Sequence, residues 1–128
     1  MPDSPNPNIV FSYTRADALA DGVLIDLTPI ARTYGFKLPF AVSDALYHGY
    51  VVPSEDLEAL GQSLEGRLHD LLTLANVAAR RSMGEDRVYF NVAFLMRPEK
   101  TETVQVVLHV GPGDSGEPVL TLCLPEDL

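Results

Sequence analysis

The sequence predicts an α+β protein: an antiparallel β-sheet formed by a C-terminal meander, packed against one long α-helix, with short N-terminal helices and strands. Three observations carry that expectation. Val88, Phe90, Val92, Phe94 and Met96 alternate with the residues between them, and Val104, Val106, Leu108 and Val110 do the same. A third apolar run, Val119 to Leu124, follows a Gly/Pro-rich turn. Period-two spacing of β-branched and aromatic residues marks strands with one face in a core, and three such runs in succession make a meander. From Ser63 to Met83, Leu64, Leu68, Leu71, Leu72 and Ala75 keep helical spacing, and Gly84 stands ready to end the helix. Neither the helix nor the sheet can bury its apolar side alone, so the helix is expected to lie across one sheet face.

The earlier elements are shorter. Residues 1–8, with three prolines, read as an extended or disordered lead-in, and 9–128 as a single domain. Ile9 to Tyr13 has the alternation of a short strand. Thr14 with Asp17 three residues later forms a capping box for a helix to Asp21, which Gly22 ends. Val23 to Leu27 alternates again. Thr28-Pro29 starts a helix over Ile30–Tyr34, closed by Gly35. Phe36, Leu38, Phe40 and Val42 form a further alternation, which Pro39 is expected to confine to an edge or a loop. Ser43-Asp44 is the next helix cap, before Ala45 to His48. Ser54-Glu55-Asp56 then opens a turn around Leu57 and Leu60, where Gly61 and Gly66 weaken the helix.

Apolar residues make up 46 % of the chain and charged ones 21 %, the balance of an ordinary globular protein. Cys123, the single cysteine, has no partner for an internal disulfide and reads as a small core residue. No run approaches the roughly 18 apolar residues of a membrane span, and the first residues lack the pattern of a signal peptide. The expected location is the cytoplasm. Eighteen acidic residues against nine basic ones leave a net charge of −9. Nucleic-acid binding depends on neutralising phosphates, so direct DNA or RNA binding is not expected. The same charge suits a protein partner with a basic surface.

No motif fixes a reaction. Gly111 to Pro118 is glycine-rich, but it carries acids and lacks the Gly-Lys-Ser/Thr ending of a phosphate loop, so it reads as a hairpin turn. Asp114 within it is a candidate partner contact. His48, His69 and His109 stand singly, without the spacing of zinc ligands, and neither a metal nor a cofactor is implied. Ser43, Asp44 and His48 hold the residue types of a nucleophilic site, yet helix capping explains the first two and no catalytic residue is assigned. Tyr47-His48-Gly49-Tyr50 is an aromatic, polar cluster suited to an interface, so Tyr47 and His48 join Asp114 as candidate partner-binding residues. Asp17, Asp21 and Asp26 are explained by capping and solubility.

Three collinear stretches resemble a known family. They are Tyr13-Thr14-Arg15-Ala16-Asp17 through Asp26-Leu27, then Gly66-Arg67-Leu68-His69-Asp70-Leu71-Leu72, and finally Gly111-Pro112-Gly113-Asp114 through Leu124-Pro125-Glu126-Asp127. The family is a domain of unknown function found in small bacterial proteins on plasmids, phages and other mobile elements. An aromatic residue is common in it where this chain has His69. The resemblance implies a context and supplies no catalytic residues.

Together these features lead to the expectation of a small acidic protein-binding module of mobile-element origin, an inhibitor or modulator of a host nuclease or defence complex. One alternative is a small enzyme, with a site between the N-terminal motif and the sheet that uses Asp26, His48 or nearby hydroxyls. Another is a homo-oligomeric structural protein that pairs through an exposed sheet edge.

Overall fold

A computed structural model describes residues 13–128, so the expected lead-in and the Ile9–Tyr13 strand lie, Tyr13 apart, outside the described residues. Helix α1 (Arg15–Asp21) starts at the anticipated capping box. Thr14 Oγ1 accepts from the Asp17 amide at 2.9 Å, and the Asp17 carboxylate accepts from the Thr14 amide at 3.2 Å. Gly22 ends the helix at φ +79°, a left-handed conformation that suits glycine.

Strand β1 (Leu24–Asp26) leads into α2 (Thr28–Arg32), and β2 (Phe40–Ser43) follows. After β2 comes one turn of helix, α3 (Asp44–Leu46), which widens into a π-turn over Tyr47–Val51. Helix α4 (Glu55–Ala59) precedes the long helix α5 (Leu64–Arg81), capped by the Ser63 hydroxyl on the Gly66 amide at 3.0 Å. The three predicted strands then appear as β3 (Arg87–Arg97), β4 (Lys100–Pro112) and β5 (Pro118–Cys123), and a 3-10 turn covers Pro125–Asp127.

The five strands form one sheet in the order β1-β2-β5-β4-β3. All neighbours are antiparallel except β2 and β5, which run parallel with Phe40 beside Leu120 and Val42 beside Leu122. The meander is therefore present, extended by a parallel pairing that local patterns do not reveal. Phe40, Val42, Val88, Val92, Phe94, Val106, Leu108, Leu120 and Leu122 point to one face. There they meet Leu68, Leu71, Leu72 and Ala75 of α5, together with Ala31, Leu46 and Val51. The helix lies across the sheet as the spacing predicts.

The Phe36–Val42 alternation corrects one expectation. Its strand is neither an edge nor a loop. All four residues of β2 are buried and the strand sits between β1 and β5. Pro39 stops one residue short of it, so the missing amide costs no ladder bond. The Pro39 carbonyl still accepts from the Leu120 amide at 2.8 Å.

Arg67, on α5, is buried at 4 % exposure within this architecture. Its guanidinium donates to the carbonyls of Tyr50, in the π-turn, and Leu95, on β3, and to Gln62 Oε1. Burial pulls its pKa below the usual arginine value. One side chain thus ties the helix, the π-turn and the edge of the sheet.

Candidate functional site

The second face of the sheet has its own cover. Ala18 of α1 is buried, as are Ala41, Val107, Val119 and Cys123 on the strands. Between the start of β1, the β2–α3 corner and the C-terminal 3-10 turn, this face opens into a cleft of about 460 Å³. Val23, Leu24, Ala45 and Cys123 give it apolar walls, and Ser43, Asp44, His109, Thr121 and Asp127 bring polar groups. A concave, largely apolar space with a few polar groups is the usual form of a binding site.

Ser43 ends β2 in an extended conformation, and its hydroxyl accepts from the Leu46 amide at 3.3 Å to cap α3. The same hydroxyl donates to Asp127 Oδ2 at 3.3 Å and is almost fully buried. The next residue, Asp44, holds His48 Nδ1 at 2.6 Å, with both side chains exposed. The His48 ring stands edge-on to Tyr47, with centroids 5.0 Å apart, while Tyr47 packs partly against the core. Asp44 and His48 are four residues apart, a spacing that sets them on one side of the helical segment, and the π-turn over Tyr47–Val51 is of a kind that recurs at functional sites.

His109 is half-buried on β4 and faces Gly111 two residues on. A Cβ at Gly111 would lie 2.7 Å from His109 Cε1, so glycine is needed there for the ring to occupy the cleft wall. On β5, Thr121 Oγ1 accepts from Arg15 Nη1 at 2.7 Å and the Leu120 carbonyl accepts from Nη2 at 2.8 Å. Burial pulls the Arg15 pKa down, against the opposing pull of Asp114, Asp26 and Glu117. Burial, helped by Asp127, pushes the Cys123 thiol up to about 11, so it stays neutral near pH 7 and is no ready nucleophile.

The predicted site residues fall in two places. Tyr47 and His48 stand together by the Asp44 side of the cleft. Asp114 instead clasps the start of α1, its two carboxylate oxygens accepting from the Arg15 amide at 2.7 Å and the Ala16 amide at 3.0 Å. The glycine-rich loop around it is a closed turn, with the Gly113 amide bonded to the Glu117 carbonyl. The first and last of the three motifs therefore meet in space, through Asp114 and Arg15. The middle motif supplies Arg67 and His69, whose Nδ1 meets the Tyr34 hydroxyl at 2.9 Å.

The carboxylates of the N-terminal motif have local partners. Asp17 closes the capping box, Asp21 accepts from the Tyr13 hydroxyl at 2.8 Å, and Asp26 accepts from the Thr28 hydroxyl at 2.6 Å. Among the described residues no three His, Cys, Asp or Glu side chains converge as metal ligands do, and no helix is long and apolar enough to cross a membrane. Sequence reasoning missed Thr121 and Asp127 as cleft residues. The signals for Ser43, its capping position and its nearness to Asp44 and His48, say nothing of Asp127.

No curated protein and no solved structure matches the chain. Residues 5–128 match the family described as "Family of unknown function (DUF6573)", and with nearly the whole chain covered, the protein belongs to that family.

Proposed function

We propose that the chain is a small acidic protein-binding module of mobile-element origin, acting in the cytoplasm on a basic surface of a host nuclease or defence complex. The observation that supports this reading is the chemistry of the cleft: apolar walls at Val23, Leu24 and Cys123, with the carboxylates of Asp44 and Asp127 among them. An arginine or lysine suits such a place, because its aliphatic stem lies along apolar surface while its charged head meets a carboxylate. The net charge of −9 adds long-range attraction toward a basic partner, which salt screens. Affinity capture from host lysate with mass spectrometry, at two salt concentrations, tests it. One protein should be recovered at low salt and lost both at high salt and with an Asp44→Asn/Asp127→Asn double variant. Empty captures at low salt, or recovery indifferent to salt and to the double variant, would sink the proposal.

A second reading, a small enzyme, is favoured by one feature. The almost buried Ser43 hydroxyl bonds Asp127 in a cleft that also holds His109, the residue type that serves as a general base. Labelling by a serine-reactive fluorophosphonate that maps to Ser43 and vanishes in Ser43→Ala would establish it. A folded protein that takes no label leaves the binding reading in place.

A further inference from the structure

The far edge of the sheet, opposite the cleft, carries the inference. Strand β3 ends the strand order and is 11 residues long. The direction of its backbone groups follows from the neighbouring ladder. The Leu120 amide bonds Pro39, on the β2 side, so the odd residues of β5 pair with the odd residues of β4. The even residues of β4 then face β3, consistent with the Val110 amide bonding the Asp86 carbonyl at 2.8 Å. The odd residues of β3 therefore turn their amides and carbonyls outward. Arg67 confirms the direction, since it reaches the Leu95 carbonyl from outside.

Past Leu95 a register shift between Leu95 and Arg97 makes the β3–β4 ladder irregular, and Arg67 covers the start of that stretch. From Tyr89 to Ala93 no such protection exists among the described residues. Tyr89, Asn91 and Ala93 are exposed, and the stretch contains neither proline nor charge. Natural edges are usually blunted by one of these devices, and an edge without them is a template for another strand.

We propose that β3 pairs antiparallel with β3 of a second copy of this chain, about a two-fold axis at Asn91, joining two five-stranded sheets into one. Three features of the edge fit a second copy in this register. Asn91 meets its own counterpart, and a carboxamide both donates and accepts. Tyr89 lies opposite Ala93, a large side chain beside a small one. The acidic residues Glu85 and Asp86, ahead of the strand, come to the end where the other copy carries Arg97. Moving the axis to Val92 would instead set Arg87 against Arg97, so like charges oppose that register. Beside the same edge, Leu74 of α5 with Val92 and Ala93 lines a groove of about 330 Å³, and the exposed Leu74 gains cover when a second sheet arrives.

Light scattering or sedimentation of the full chain over a dilution series tests the proposal. The mass should rise with concentration from 14.0 kDa toward twice that value. Asn91→Pro removes an outward amide that has no partner among the described residues, so it should remain at the monomer mass with an unchanged circular dichroism spectrum. Residues paired through hydrogen bonds lie about 5.5 Å apart at Cα, within disulfide reach. Asn91→Cys, made with Cys123→Ser, should therefore cross-link two chains on mild oxidation, whereas Ser115→Cys in the same background should not. A wild-type chain that stays at monomer mass throughout overturns the proposal. So does an Asn91→Pro variant that still dimerises. Dimerisation without an Asn91→Cys cross-link overturns the register.

Discussion

Arg67 meets no carboxylate among the described residues; it is held by two backbone carbonyls, a glutamine oxygen and the face of Phe94, whose ring centre lies 5.7 Å from the guanidinium carbon. A planar cation with five donors can serve all of these at once, which an ammonium cannot. Arg67→Met keeps the volume but leaves the Tyr50 and Leu95 carbonyls without that donor, and should cost about 2–4 kcal/mol in urea unfolding. Cys123 makes a prediction in pH. Its thiol keeps its proton longer in the folded chain than in the unfolded one, so its contribution is complete below the unfolded value of 9.0. It is lost as pH rises through the folded value of about 11. Urea midpoints of the wild type should therefore fall relative to Cys123→Ala between those two values, and equal curves would refute the burial of the thiol.

Among the elements, α5 and the meander hold the main contact. Leu71 is fully buried between them, and Leu71→Ala should cost about 2–5 kcal/mol, read as a lowered denaturation midpoint. This contact was legible in the sequence because both periodicities are local and long, with Leu64–Ala75 on one element and Val88–Val110 on the other. The inner position of β2 was not legible, because a proline at its threshold looks the same as a proline inside an edge strand. The π-turn was hidden for a related reason: Ser43-Asp44 announces a helix, and nothing in Tyr47–Val51 signals that the turn after the first is a wider one. The cleft is harder still to foresee. Ser43 and Asp127 are 84 positions apart, and their meeting depends on the parallel pairing of β2 with β5.

At the scale of the molecule, that parallel pairing joins residues 40–42 to residues 120–122 and places β5 between β4, made just before it, and β2, made long before. Contacts so distant in sequence slow folding, because a long loop must close before they form. On a ribosome, β2 would leave the exit tunnel with its neighbour unsynthesised. The first half of the polypeptide must wait, its apolar side uncovered, until residues 118–123 emerge. Translation therefore sets the earliest moment at which the sheet becomes whole, and chaperones have that interval in which to hold the unfinished half.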